Sequence, residues 1–231
     1  MPRHSGITSL VVALLAAGAL LPSAASAKIT EMGAMPDALR GSCPGITSNP
    51  ESCQALTKTT AYQAKVGPDR ELYQAPADGR IVAWTLALGT PGKTQIAFFD
   101  KNYGGAAQAA IVVLDSGKKL SRTVVAKGPI TNLVGYFGQV VQFPLISTLA
   151  IKKGQYVALT VPTWAPVMQL GLGVDTSWRS SRASSGCGDV TVQFALLGSR
   201  NNALFRCLYK GVRLTYSATF IPNATAAAPA K

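Results

Sequence analysis

Through most of this chain apolar side chains recur at every second position. Val82, Trp84, Leu86 and Leu88 fall on one face, with Ala83, Thr85 and Ala87 on the other. Val157, Leu159 and Val161 alternate with Tyr156, Ala158 and Thr160. Val190, Val192, Phe194 and Leu196 alternate with Asp189, Thr191 and Gln193, and Val212, Leu214, Tyr216, Ala218 and Phe220 with Arg213, Thr215, Ser217 and Thr219. A period of two belongs to extended chain with one face buried, so each run predicts a half-buried strand. Turn signals fall between the runs: Pro76-Ala77-Asp78-Gly79, Ser116-Gly117 and Lys152-Lys153-Gly154. No segment carries a sustained 3.6-residue period with caps, and residues 96–99 read as one more strand. The pattern predicts roughly eight to ten antiparallel strands within about 160 residues, which suits an all-β two-sheet sandwich of jelly-roll type.

The ends read differently. Residues 1–27 have the three parts of a secretory signal peptide: Arg3, an apolar stretch over residues 7–21, and the small-residue cleavage site Ala25-Ser26-Ala27. That run is short for a membrane span, and no later segment offers the ~18 apolar residues a span needs. Residues 28–60 read as an irregular N-terminal segment rich in Gly, Pro and Ser, residues 61–222 as the sandwich, and residues 223–231 as a disordered Ala/Pro-rich tail. The expected location is secreted, outside the cell or in the cell envelope.

An exported chain with four cysteines predicts two disulfides. Three pairings are possible; the local ones are Cys43 with Cys53 and Cys187 with Cys207, each stabilising by about 3 kcal/mol in a loop-entropy account. The only histidine is His4, inside the predicted signal. The mature part therefore lacks the imidazole of Ser-His and Cys-His nucleophiles, His metal sites and His general bases. Its 21 basic against 10 acidic residues give +11, an excess that favours anionic partners or serves solubility alone.

Each candidate chemical motif has a plainer explanation beside it. Ser116-Gly117-Lys118-Lys119 has the Ser-x-x-Lys spacing of some acyl-transferases, but sits at a turn where Lys is solvated. Gly41-Ser42-Cys43-Pro44-Gly45 imitates a nucleophile elbow without its strand, helix or base. Asp100-Lys101-Asn102-Tyr103-Gly104-Gly105 resembles the start of a calcium loop without its closing acid. A hydrolase would have to draw its two carboxylates from Asp100, Asp115, Asp175 and Asp189. No catalytic set, cofactor or metal is expected. More informative are Val161-Pro162-Thr163-Trp164-Ala165-Pro166 and Trp178-Arg179-Ser180-Ser181-Arg182. Trp164 and Trp178 on a sandwich rim would stack on sugar rings, while Arg179 and Arg182 would fork to carboxylate or phosphate. The alternative is that Trp164 plugs the sandwich end and Trp178 covers an edge, with both arginines solvated, since aromatic residues are usually core.

The order of Ser42-Cys43-Pro44-Gly45, Asp78-Gly79-Arg80-Ile81-Val82-Ala83-Trp84, the two tryptophan segments and Leu214-Thr215-Tyr216-Ser217-Ala218-Thr219 resembles that of secreted β-sandwich proteins of high-GC actinobacteria. The resemblance implies a bacterial envelope setting and supplies no activity or site. The expected function is thus a secreted, non-catalytic domain that binds an anionic or carbohydrate component of the envelope, such as cell-wall polysaccharide, through Trp164, Trp178, Arg179 and Arg182. Nucleic acid is not an expected partner. A structural or protein-interaction sandwich is the second expectation, and an Asp-based hydrolase the third.

Overall fold

The computed structural model describes residues 28–43 and 52–224; the predicted signal segment and residues 225–231 of the predicted tail lie outside them. The chain passes through β1 (Thr30–Met32), β2 (Leu56–Lys65), β3 (Gly79–Ala87), α1 (Lys93–Tyr103), β4 (Gln108–Ser116), β5 (Ser121–Lys127), β6 (Thr131–Asn132), β7 (Val140–Ile151) and β8 (Tyr156–Ala165). Then come β9 (Met168–Gln169), β10 (Ser177–Ser180), β11 (Asn202–Leu204), β12 (Cys207–Lys210), β13 (Arg213–Leu214) and β14 (Tyr216–Pro222). One antiparallel sheet has the order β1-β14-β3-β7, and the other contains the run β2-β8-β4-β5. Every connection among these eight strands crosses between sheets except the β4–β5 hairpin. That path is a jelly roll, as the sequence predicts.

The remaining short strands mostly extend this frame. β9 to β13 lie in one insertion between β8 and β14, where β9 and β13 pair with each other. In the larger sheet β10 and β12 add beyond β2, and β11 adds beyond β5. The full order, β11-β5-β4-β8-β2-β10-β12, would hold β11 and β12 about 29 Å apart if flat, at ~4.8 Å per strand. Yet only Phe205 and Arg206 separate them in the chain, a reach of at most about 11 Å. The larger sheet therefore curls until its two edges meet.

The curl buries both faces of the larger sheet. Ile111 and Val113 of β4 join Trp84, Leu86, Leu159 and Tyr216 between the sheets. Val112 and Leu114, the alternate residues, join Tyr62, Val124, Ala158, Leu196 and Phe205 in a second core on the concave side. Both predicted disulfides, Cys43–Cys53 and Cys187–Cys207, are formed.

Several expectations need correction. Strand β3 has a bulge between Ile81 and Ala83, so Ile81 rather than Val82 packs inward with Trp84 and Leu86. Residues 96–99 are not a strand: they lie in α1, whose Phe99 and Tyr103 are buried. Residues 189–196 form no strand, because Asp189 folds back to accept from the Thr191 amide and hydroxyl. Only Phe194 reaches β2, in a lone parallel bridge to Thr59 beside the stretch from Ala61 to Lys65 that β10 holds. The segment predicted as irregular contains β1, paired with β14, and the first residues of β2. Among the described residues no helix is long and apolar enough to cross a membrane.

Candidate functional site

Helix α1 forms where the alternating pattern gives way. The Gly92 amide donates to Gln95 Oε1 at 2.8 Å and closes the N-terminus. At the other end Gly104 adopts φ 94°, and the Gly104 and Gly105 amides both donate to the Asp100 carbonyl. Glycine meets this left-handed requirement without the strain a side chain would add. The helix fills the β3–β4 connection and packs on β8, with Phe99 stacked on Trp164 at 4.8 Å between ring centroids.

Trp164 is consequently core. It is 0% exposed, and its indole Nε1 donates to Asp100 Oδ1 at 2.9 Å and to the Gly105 carbonyl at 3.1 Å. Phe137, from the connection before β7, packs against the same ring. The Pro162 segment explains the placement: β2 and β8 slip register between Thr57 and Thr59, so the chain bulges at the proline without leaving the sheet. Trp164 therefore offers no face to a sugar, and its predicted ligand-binding role is corrected.

The other three predicted residues separate. Trp178 and Arg179 are neighbours on a strand and so point to opposite faces of β10. Arg179 lies on the concave side, half-buried, where Nη1 donates to the Phe205 and Arg206 carbonyls at 3.0 and 3.3 Å. It thereby fastens the chain that joins the two sheet edges. Trp178 lies on the opposite side with Arg182, and each is 2% exposed. Trp178 stacks on its cross-strand partner Tyr209, with centroids 4.2 Å apart and planes 16° from parallel.

Trp178, Tyr209 and Arg182 form one wall of a cleft of about 310 Å³. The cleft is lined as well by Phe98, Phe99 and Tyr103 of α1, by residues 53–57 next to the first disulfide, and by Met168 and Val190. The cleft lies where the connections before β2, between β3 and β4, and between β8 and β14 converge on one end of the sandwich. Loops held by a rigid sheet are the usual seat of recognition. Phe98 is 54% exposed and forms the rim, with Phe99 and Tyr103 edge-on to its ring.

Among the described residues, Arg182 is the single charged one on the walls. Its Nη2 donates to the Thr57 carbonyl at 2.6 Å and to Thr57 Oγ1 at 3.2 Å, and its Nη1 to the Tyr209 hydroxyl at 3.4 Å. These partners are all neutral. Asp189 is fully exposed; hydrogen bonds from Thr191 hold its carboxyl below the usual range, and the Arg182 charge contributes least to that shift. Two buried donors on this wall, Arg182 Nε and Trp178 Nε1, have no hydrogen-bond partner among the described residues. Sequence reasoning missed the α1 half of the cleft. The signal was present: Ile96, Phe99 and Tyr103 keep helical spacing, and Gly104-Gly105 marks a stop.

Comparison with protein-family models, curated proteins and solved structures finds no match.

Proposed function

We propose that the protein is an exported, non-catalytic binding domain of the bacterial cell envelope, which holds an anionic or carbohydrate envelope component in the aromatic cleft. The observation that carries this reading is the convergence of Phe98, Tyr103, Trp178 and Tyr209 around a single cation, Arg182, at the loop end of a disulfide-stapled jelly roll. Apolar walls with a few placed polar groups are the common form of a ligand site. Two of the four aspartates a hydrolase would draw on are hydrogen-bonded within the fold: Asp100 accepts from Trp164 and Asp189 from Thr191. The test is co-sedimentation with isolated actinobacterial envelopes at low and high salt, comparing the wild type with Phe98→Ala. Retention that weakens with salt and falls in Phe98→Ala is expected. No retention at either salt overturns the reading.

A structural or protein-interaction role is the second reading, favoured by strand β7. It is an edge of its sheet, and its Ile146 side chain is fully exposed. A self-association that disappears in Ile146→Lys, measured by sedimentation, would support it.

A further inference from the structure

We infer that the cleft selects an amphipathic carboxylate: an apolar chain or ring that fills the aromatic part, ending in one carboxylate presented to the Arg182–Trp178 wall. The inference rests on the reading of the cleft as the binding site and adds the chemical class of its ligand.

Charge comes first. A guanidinium at 2% exposure has lost nearly all its hydration, and hydrogen bonds to neutral oxygens replace only part of it. Buried arginines ordinarily meet a carboxylate in the fold. Among the described residues the Arg182 guanidinium is hydrogen-bonded to Thr57 and Tyr209 alone, neither of which carries charge. The exposed Asp189 feels this charge only weakly, so an anion arriving in the cleft would supply a directly bonded countercharge where the low dielectric makes it count most.

Geometry agrees. Trp178 Nε1 and Arg182 Nε are both buried donors without acceptors, and both belong to residues that line the same cleft. Arg122 and Arg213 each leave a lone Nε unpaired elsewhere, but here two donors from two residues stand on one wall, which indicates that an acceptor group belongs there. A carboxylate has two oxygens and accepts from both an indole and a guanidinium. The rest of the lining argues against a ligand made wholly of hydroxyls. Phe98, Phe99, Tyr103, Met168 and Val190 present apolar surface that a free sugar would leave its own hydroxyls unpaired against.

The probes are decanoate and decanol, which share a chain and differ in the anionic end. Binding to the full mature protein is measured by calorimetry at pH 7, where decanoate is ionised. Wild type is expected to bind decanoate at least about tenfold tighter than decanol, a preference worth about 1.4 kcal/mol. Arg182→Met keeps the apolar stem and removes the charge, so the two probes should then bind alike. Phe98→Ala, on the exposed rim, should weaken both probes together and keep their ratio. Far-UV circular dichroism checks that each variant is folded; if Arg182→Met is not, the wild-type ratio and Phe98→Ala still decide. Equal affinity of wild type for the two probes overturns the anionic selection, and a Phe98→Ala loss in that case leaves the cleft standing as a binding site. Failure of wild type to bind decanoate overturns the inference, while retention on envelopes tests the broader reading independently.

Discussion

Trp164 shows how one residue can invite a surface role and take a core one. Two prolines around it suggest a chain leaving its sheet, but the sheet absorbs Pro162 as a bulge and the indole turns inward onto Phe99. Nothing in the local sequence signals that Asp100, sixty-four positions earlier, accepts its N–H. Trp164→Phe keeps the stacking and leaves that carboxylate without its donor. The expected cost is about 1–3 kcal/mol in chemical denaturation, with envelope retention unchanged. A second residue-scale expectation concerns the tyrosines between the sheets. Tyr73 donates to the Tyr216 carbonyl, and Tyr216 to that of Val157. Burial pushes the Tyr73 phenol from 10.0 up to about 12, against a smaller lowering by Arg213, and burial raises Tyr216 as well. The folded state thus keeps protons that the unfolded chain releases from pH ~10 upward, so stability is full below 10 and falls as pH rises toward 12. Urea midpoints measured from pH 8 to 12 should decline with the slope reduced in Tyr73→Phe.

At the level of elements, strands of strict alternation were legible and departures from it were not. β8 and β14 follow the predicted faces, with Val157, Leu159 and Val161, and Tyr216, Ala218 and Phe220, packed into the core. In β3 a single bulged residue shifts the phase, which no count of apolar positions reveals. Residues 189–196 show the converse: the alternation is perfect, yet Val190 and Val192 stand exposed, because Asp189 turns the chain onto Thr191 and only Phe194 reaches β2, in a lone bridge to Thr59. The disulfides were legible because four cysteines behind a predicted signal segment imply two bonds, and local spacing favours these pairs. Helix α1 was not, since the apolar run 96–99 reads as a strand until Tyr103 is counted with it. The helix depends on its C-terminal glycine. In Gly104→Ala the new methyl would meet Thr163 Cγ2 at 3.8 Å, an ordinary contact, so the cost is conformational. A left-handed alanine costs about 1–2 kcal/mol, which a lowered melting temperature would report. The loss should appear also as weaker decanoate binding, because Phe98 and Tyr103 ride on this helix.

The whole molecule divides into a jelly roll that supplies rigidity and an insertion that supplies most of one cleft wall. Trp178, Arg182, Val190 and Tyr209 all belong to the insertion, whereas α1 and residues 53–55 belong to connections of the roll and Leu56 and Thr57 to the start of β2. Strands β10 and β12 are joined to the frame along β2, and the Cys187–Cys207 bond ties the far end of this unit back to itself. The bond also sets the cleft indirectly: the Tyr209 hydroxyl donates to the Cys187 carbonyl, which holds the ring that Trp178 stacks upon. Replacing Cys187 and Cys207 together by Ser removes a constraint worth about 3 kcal/mol and frees this corner. The eight strands of the roll do not use the bond, and their shared core stays intact. Amide exchange should therefore quicken in residues 177–210 while β3, β8 and β14 remain protected, and decanoate binding should fall although the sheet signal in circular dichroism is kept. Uniform loss of protection across both regions would instead mean that insertion and roll unfold as one unit, and the cleft would then be as stable as the core it sits upon.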